Sequence, residues 1–378
     1  MENKSGSRFI LIFTSFVGFM IGGVSCPCGI LSVSGGVLMR AMVLREFHRP
    51  FVPAEVPLPA IGPGELLVRV KACGVCYTDV KISSGLTPGV SLPLILGHEV
   101  AGEVAGLGEG VKNFREGDRV SLYFYLNCGK CEYCREQKEN LCADLRARIG
   151  FQWDGGYAEY TRVPATHAFR VPAGISFEEA AILADAVATP LHALREQAGV
   201  KEGETLAIIG AGGLGLQAVQ IGKVLGARVL SVDLEEKRLA LAKSMGAEET
   251  FQAAGKALED AVLSYTGGRG VDTVLDLVGK NETMHSSLNI LKKGGKLVLV
   301  GYSFDQPFSI LPAILMRGEY RIIGSRACRM KNMEEVIELA AAKKIKPLVT
   351  ETFPLDRVNE VHSRLKKNEI LGRVVLVP

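Results

Sequence analysis

The sequence predicts an α/β protein with two domains, one β-rich and irregular and the other built on a doubly wound parallel sheet. The chain has 378 residues, which is too long for one ordinary hydrophobic core. From residue 39 to about residue 172, short alternating runs are separated by Gly and Pro, which is typical of strands joined by turns. Beyond residue 176, apolar strand-like runs alternate with helix-like segments, which indicates parallel strands covered by helices.

The individual elements follow from these patterns. In the β-rich half, strands are predicted at residues 40–44, 65–71, 100–104, 119–125 and 157–163. Ser176 and Glu179 have the spacing of a capping box, which predicts a helix from there to about Leu194. The alternating half then has predicted strands at 205–209, 228–232, 271–277 and 296–300, with helices ending near 225 and spanning 235–245 and 282–291. The tail has a predicted helix at 333–342, a strand-like run at 350–354, another helix and a last strand at 373–377, and we expect it to return to the first domain.

Composition narrows the function classes. The 44 Lys and Arg residues nearly balance the 41 Asp and Glu residues, which leaves a formal net charge of +3. Nucleic-acid-binding proteins usually have a marked excess of basic residues, which this chain does not have. The 43 glycines cluster in patterns, which favours a fold with many tight turns between strands and helices.

A glycine-rich turn at residues 210–215 predicts a dinucleotide site. The turn follows a predicted strand directly and opens a predicted helix, so free N–H groups at the helix start face the phosphates. Asp233 ends the next strand, where an acid binds the adenosine ribose and repels a 2′-phosphate, which favours NAD over NADP. Arg238 is close enough to touch the same ribose, although a solvated surface arginine fits the sequence equally well. The predicted cofactor contacts are Gly210, Gly212, Gly213, Leu214, Gly215, Asp233 and Arg238. The alternative is a purely structural glycine turn with a capping Asp.

Four of the nine cysteines crowd into one short segment. Cys128, Cys131, Cys134 and Cys142 can supply four thiolates to one tetrahedral ion, which describes a structural zinc with no open position. A pair of disulfides or an iron–sulfur cluster are the alternatives.

A second, dispersed group of residues suggests a catalytic metal. Cys76 precedes Thr78 and Asp79, and His98 precedes Glu99, with both motifs at predicted strand ends. A lone Cys or His is usually a packed core residue, but two such motifs upstream of a dinucleotide fold favour a metal site. The pair His98 and Glu99 is not a metalloprotease helix, because position 102 is Gly where the second His would be required.

Together these motifs resemble the zinc-containing alcohol dehydrogenases of the medium-chain dehydrogenase/reductase superfamily. The resemblance rests on Cys76 with its Thr and Asp, on Gly97 with His98, on the four-cysteine segment, on the 210–215 turn and on Gly372-Arg373. It implies a GroES-like catalytic domain over 39–185 with the structural-zinc lobe, a Rossmann NAD-binding domain over 186–325, and a C-terminal return over 326–378. It also implies NAD, two Zn²⁺ ions per chain (one catalytic and one structural), a small-molecule alcohol or carbonyl substrate, and a homodimer or homotetramer.

The resemblance assigns the catalytic ligands residue by residue. Cys76 and His98 match two zinc ligands. Many relatives have a third ligand, Cys, on the helix before the Rossmann domain, whereas this chain has Asp185 there, as in a secondary-alcohol branch. One thiolate, one carboxylate and a neutral imidazole still neutralise Zn²⁺. The alternatives are Glu99 as the ligand and Asp185 as a helix surface residue.

Further roles also come from the resemblance. Thr78 would accept the proton of the alcohol and Thr189 would pack beside the nicotinamide. Arg373 matches a phosphate-contacting position, and Asp79 would orient a ligand. Relatives often have a His at the outer end of the proton relay, where this chain has Lys81. The group that ends the relay is therefore not assigned. Aromatic residues close to the motifs could line a substrate pocket or pack in the core, namely Tyr77, Trp153, Phe124 and Tyr125.

Other activities remain to be weighed against alcohol oxidation. Some relatives reduce activated C=C bonds, but these often lack the metal ligands and prefer NADPH, so Cys76, His98 and Asp233 argue against this reaction. A catalytically inactive binding or structural protein is disfavoured, because the matching metal-ligand residues and Thr78 are all present. Polyols and other secondary alcohols are alternative substrates.

The first 38 residues allow two interpretations. Lys4 and Arg8 precede an apolar run at residues 9–24, which resembles a signal peptide or a short membrane anchor. The run is shorter than the roughly 20 residues that span a membrane. Alternatively, the true start is Met39, since a strand-like segment follows it at once. Because export conflicts with NAD and reduced thiolates, we expect a cytoplasmic enzyme.

Overall fold

The computed structural model describes residues 36–304 and 307–378. The apolar run at residues 9–24, with its two interpretations, lies outside the described residues. Residues from Val37 to Pro378 group into one unit, and everything below concerns that unit.

The strands and helices are short in the first half of the chain and longer in the second. The strands are β1 (Leu38–Leu44), β2 (Val52–Pro57), β3 (Glu65–Val75), β4 (Leu94–Ile95), β5 (Glu99–Leu107), β6 (Arg119–Leu122), β7 (Tyr125–Leu126), β8 (Ala147–Arg148), β9 (Tyr160–Pro164), β10 (Ala168–Arg170), β11 (Thr205–Ile209), β12 (Arg228–Val232), β13 (Glu249–Phe251), β14 (Val271–Asp276), β15 (Leu291–Leu299), β16 (Arg321–Gly324), β17 (Val349–Pro354) and β18 (Arg373–Val377). The α-helices are α1 (Tyr77–Ser83), α2 (Glu132–Arg135), α3 (Phe177–Ile182), α4 (Ala188–Leu191), α5 (Gly213–Val224), α6 (Glu236–Ser244), α7 (Gly255–Tyr265), α8 (Asn281–Asn289), α9 (Pro312–Gly318), α10 (Met330–Ala341) and α11 (Val358–Lys366).

One sheet joins the two ends of the described chain. Its strand order is β10-β6-β5-β3-β18-β17, with β9 also paired to β3. The C-terminal strand β18 runs antiparallel to β3, with Val375 opposite Gly74. A separate small sheet has the order β2-β1-β4. The β-rich half is therefore completed by the tail.

The second large sheet confirms the predicted doubly wound fold. Its order is β13-β12-β11-β14-β15-β16 and every pairing is parallel. The chain leaves β11 in one direction for β12 and later returns to its other side at β14. Such a reversal opens a crevice at the carboxyl ends of these strands, where ligands bind in folds of this kind.

The helical segment after Ser176 differs from the prediction of one regular helix. The capping box is confirmed, because Ser176 Oγ accepts from the N–H of Glu179 at 3.1 Å and Glu179 Oε2 accepts from the N–H of Ser176 at 3.0 Å. After α3, however, the backbone widens into π-helical turns at Leu183–Val187 and His192–Gln197. Pro190 has no N–H to donate, which interrupts the regular ladder between them. The first π turn carries Asp185.

Several other strands have boundaries that differ from the predicted ones. The strand predicted at 119–125 is broken into β6 and β7, and the strand predicted at 157–163 begins only at Tyr160. The elements β13, α7 and β16 were not predicted, since their runs are short or weakly periodic. By contrast, β11, β12 and β18 have the predicted ends.

Within residues 36–304 and 307–378, no helix combines the length and the apolar character needed to cross a membrane.

Gly215 should be essential for packing of α5 on the parallel sheet. A Cβ at this position would overlap the carbonyl oxygen of Gly210, so Gly215→Ala must push α5 away from β11. We expect a loss of about 1–3 kcal/mol in the free energy of unfolding, measured by denaturant titration. Gly212→Ala is the matched control, because its Cβ would meet nothing within 4 Å. Equal stability of the two variants would contradict this packing account.

Candidate active site

Three side chains with metal-binding chemistry converge at the edge of the first sheet. Cys76 is the N-cap of α1 just after β3, and His98 lies just before β5. Because β3 and β5 are antiparallel neighbours with Gly74 opposite Glu99, the two residues lie side by side. Asp185 reaches them from the π turn. Cys76 Sγ lies 3.6 Å from Asp185 Oδ2, and His98 Nε2 lies 3.8 Å from the same oxygen.

The donor atoms of Cys76, His98 and Asp185 all lie within 4.8 Å of one another, and all three residues are buried. Burying a carboxylate and a thiolate is costly unless a cation compensates for their charge. Burial opposes the charged form of Asp185, yet hydrogen bonding and the charges of His98 and Arg373 keep its pKa below the usual value. A thiolate, an imidazole and a carboxylate form a donor set that suits Zn²⁺ and leaves one position open.

Asp79 holds two members of this group in place. Its Oδ1 lies 3.0 Å from His98 Nδ1, and its Oδ2 accepts from the backbone N–H of Cys76 at 2.9 Å. Tyr157 donates its hydroxyl to the same Oδ2 at 3.1 Å. A carboxylate on Nδ1 leaves Nε2 free to act as a ligand and fixes the orientation of the ring. The arrangement therefore fits the orienting role expected for Asp79.

Glu99, the alternative ligand, is not part of this group. Successive residues of a strand face opposite sides, so Glu99 turns away from the side that His98 occupies. Its side chain lies against Gly74, where a Cβ would overlap Oε2. Both of its oxygens bind the guanidinium of Arg373, with Oε2 accepting from Nε at 3.0 Å. Glu99 thus serves as the partner of Arg373.

Arg373 connects the metal-binding group to the glycine turn. It is buried at the start of β18, and its Nη2 donates to Asp185 Oδ2 at 3.0 Å. Its Nη1 lies 3.0 Å from the point where a Cβ on Gly213 would be. The guanidinium therefore borders the turn where a phosphate is expected.

A cleft of about 690 Å³ opens beside these residues. The described residues that line it include Cys76, Thr78, His98, Asp185, Thr189, Leu214, Phe124, Tyr125, Arg148, Phe151, Val300, Gly301, Tyr302, Phe304 and Arg326. Phe124 and Tyr125 thus lie where the sequence suggested. Trp153 does not, because it lines a different cavity and donates its indole N–H to the carbonyl of Arg162 at 2.8 Å. Tyr77 is half exposed and is not among the residues that line the cleft.

The hydroxyl of Thr189 has a clear partner in this cleft, because it donates to Asp185 Oδ1 at 2.7 Å. Thr78 and Tyr302 both line the cleft. Lys81, at the open end of the predicted relay, donates to the carbonyl of Tyr302 at 2.8 Å and lies 3.4 Å above its ring. The sequence analysis missed Tyr302, although its position just beyond the carboxyl end of β15 was a usable signal.

The glycine turn has the geometry expected for a dinucleotide. Gly210 has a φ of +98°, which only glycine adopts readily, and Gly212 is the N-cap of α5. Asp233 lies at the end of β12 and accepts from the N–H of Ala211 at 2.7 Å and from that of Glu235 at 2.9 Å. Its carboxylate keeps further lone pairs for ribose hydroxyls.

Arg238 is not a solvated surface residue. It is buried and its Nη1 lies 3.7 Å from Asp233 Oδ1. Its Nη2 donates to Asn368 Oδ1 and to the carbonyl of Ile370, both at 2.7 Å. It therefore ties the C-terminal segment to the acid, and a ribose contact stays a prediction.

The four-cysteine segment forms a cluster that fits a tetrahedral metal. The sulfurs of Cys131 and Cys134 lie 3.5 Å apart, those of Cys131 and Cys142 3.9 Å, and those of Cys128 and Cys134 4.0 Å. A tetrahedron of Zn–S bonds has sulfurs roughly 3.8 Å apart, whereas a disulfide requires about 2.05 Å. The disulfide alternative is therefore wrong for this structure, and the spacing suits one Zn²⁺.

Comparisons with known proteins find alcohol dehydrogenases similar to this chain over most of its length. Residues 62–173 match the family model of the alcohol dehydrogenase GroES-like domain, and residues 213–342 match that of the zinc-binding dehydrogenases. An alcohol dehydrogenase of Geobacillus stearothermophilus is 40% identical over 89% of this chain and 99% of its own length. An NAD-dependent alcohol dehydrogenase of Sulfurisphaera tokodaii is 35% identical over 90% of this chain and all of its own. The crystal structure of the alcohol dehydrogenase from Aeropyrum pernix superposes with a TM-score of 0.84 at 33% identity, covering 90% of this chain and 100% of that one.

The cysteine cluster can be tested by metal analysis. Cys131→Ser removes one of four sulfur donors, so we expect the purified protein to lose about one zinc ion per chain and to become less stable. Cys328→Ala is the control, because Cys328 is buried apart from the cluster and contacts the carbonyl of Ala184. An unchanged zinc content in Cys131→Ser would contradict the assignment of a metal to this cluster.

Proposed function

This chain belongs to the zinc-containing alcohol dehydrogenases of the medium-chain superfamily, and on that basis we propose that Cys76, His98 and Asp185 hold its catalytic zinc. The chain is an oxidoreductase that acts on alcohols. We propose further that it uses NAD and binds two zinc ions, the second in the four-cysteine cluster. The observation that carries the proposal is the buried convergence of three donor atoms at the wall of the substrate cleft.

The donor set determines where the metal would act. Zinc, when bound there, would act as a Lewis acid toward the oxygen of the substrate. Asp79 keeps His98 Nε2 aimed at the other donors, and the hydroxyl of Thr189 fixes the carboxylate of Asp185. The fully buried Asp79 makes this orientation rigid, since every oxygen it has is engaged in a hydrogen bond.

The proton that the alcohol substrate loses from its hydroxyl needs a path out of the cleft. Thr78 lies beside the metal-binding group, and its hydroxyl can accept the proton and pass its own toward Tyr302, which lines the same cleft. Lys81 holds Tyr302 from the other side. This connection supports Thr78 as the first acceptor and Tyr302 as the next group in the relay.

The parallel sheet supplies the cofactor site. The N–H groups at the start of α5 face the pyrophosphate position, and Arg373 lies beside Gly213. Asp233 would hold the adenosine ribose, while Thr189 and Leu214 border the cleft where the nicotinamide would meet the substrate. NAD, when bound, supplies the hydride acceptor.

Reduction of an activated C=C bond fits this site less well. Such a reaction has no need for three buried donors that converge beside the cleft. The homodimer or homotetramer expected for the family stays a prediction.

Asp185 can be tested as a ligand by an isosteric change. Asp185→Asn removes the charge that would bind the metal, so we expect catalytic zinc to be lost and kcat/KM to fall by about 100-fold or more. Asp118→Asn, which alters an acid remote from the cleft, is the control. If Asp185→Asn retains both full activity and two zinc ions per chain, Asp185 is not a ligand.

The choice between NAD and NADP depends on Asp233. In Asp233→Asn the repulsion of a 2′-phosphate is relieved, so the ratio of kcat/KM for NAD to that for NADP should fall on the order of tenfold. Glu235→Gln removes an acid two residues away and serves as the control. An unchanged ratio in Asp233→Asn would show that another group sets the preference.

A further inference from the structure

Two arginines line the cleft together with Tyr125. Arg326 Nε donates to the hydroxyl of Tyr125 at 3.0 Å, and the Arg326 guanidinium lies 5.1 Å from the centre of the Tyr125 ring. Tyr125 is buried, and all three residues line the cleft that holds the metal-binding group. Two positive charges therefore lie in the same cavity as the reacting centre.

Neither guanidinium has a carboxylate partner within 4.0 Å among residues 36–304 and 307–378. By comparison, Arg373 pairs with Glu99, and Arg329 pairs with Glu196. Asp185 is the only carboxylate among the described residues that line the cleft, and it already binds Arg373. Burial lowers the pKa of Arg148 from its usual value, so a negative partner in the cleft would relieve a real electrostatic cost.

We propose that the substrates of this enzyme are alcohols that carry a remote anionic oxygen group, a carboxylate or a phosphate, which binds to Arg148 and Arg326. The proposal rests on the function proposed above and adds the substrate class. A guanidinium presents parallel N–H donors that match the two oxygens of such a group. The hydroxyl of Tyr125 accepts from the Arg326 guanidinium, and the Arg148 guanidinium lies over the ring of Phe151.

The spacing between the charges and the metal-binding group defines the length of the substrate. The Arg148 guanidinium lies 4.0 Å above the ring of Phe151, whose centroid is 5.4 Å from that of His98. Phe124 also packs on His98, at 5.0 Å. An aromatic ring therefore separates the anion site from the reacting end. This excludes acids whose hydroxyl is adjacent to the carboxylate and fits an apolar spacer of several carbons.

The backbone that presents Arg326 is itself fixed. Asn140, which lies between the cysteines of the cluster, donates its side-chain N–H to the carbonyl of Arg326 at 2.8 Å. Tyr123 donates its hydroxyl to the carbonyl of Cys328 at 2.8 Å. A segment held in this way can place a guanidinium with little loss of entropy on binding.

Matched substrates test the proposal directly. We would compare kcat/KM for 1-hexanol, 6-hydroxyhexanoate and 6-hydroxyhexyl phosphate, with NAD and the full-length zinc enzyme. We expect at least one of the two anions to be preferred over hexanol by about tenfold or more, mainly through KM. The better of the two identifies the anion as a carboxylate or a phosphate.

Variants assign that preference to residues. Arg148→Gln and Arg326→Gln should each lower the preference for the anion by about tenfold, and Arg148→Lys should restore part of it. Arg146→Gln removes an equal charge from an exposed residue of the same segment and should keep the preference. Retention of the preference in the Arg148→Gln/Arg326→Gln double variant, or oxidation of hexanol by the wild type with no preference, would overturn this proposal alone. If none of the three alcohols reduces NAD, the proposed function fails as well.

Discussion

The hydrogen bond between Asp79 and His98 is the interaction on which the site depends. It sets which ring nitrogen of His98 faces Cys76 and Asp185, and the same carboxylate fixes the backbone of Cys76. The antiparallel register of β3 and β5 brings these residues together, and the π turn adds Asp185. Three buried donors in such proximity could hold a metal ion, and the same local fold that brings them together would then determine the chemistry of the site.

Arg373 extends this dependence to the cofactor side. It begins the last strand of the chain, yet it contacts Glu99 and Asp185 and borders the glycine turn at Gly213. Through Arg373, the C-terminal strand thus connects the metal-binding group of the first sheet with the glycine turn of the second. A shift of β18 would disturb the metal-binding group and the phosphate site together.

The sequence predicted correctly those features that depend on residues close together in the chain. The strands β11 and β12 have the expected ends, because apolar runs bounded by Gly and charged residues are unambiguous in a parallel sheet. The four cysteines were found from their spacing, whereas Cys76 and His98 were found from two motifs upstream of a dinucleotide fold and from the resemblance to a known family. The π turn at Asp185 was not foreseen, because a capping box followed by an apolar run predicts a helix but does not distinguish α from π hydrogen bonding. Arg148, Tyr302 and Arg326 were missed since segments distant in the chain bring them together. Of the two alternatives for Trp153, a substrate pocket or the core, the structure favours the core, because Trp153 packs against core residues and does not line this cleft.

Hydride transfer itself gives the most direct test of the account. The zinc-loaded protein would be incubated with NAD and an alcohol in which every hydrogen on the carbinol carbon is deuterium, and the reduced cofactor would be analysed by mass spectrometry. The account predicts one deuterium in each reduced cofactor, loss of the reaction when a chelator strips the metal, and its return with added Zn²⁺. Reduced cofactor without deuterium, or an undiminished rate in protein shown to be free of metal, would contradict it.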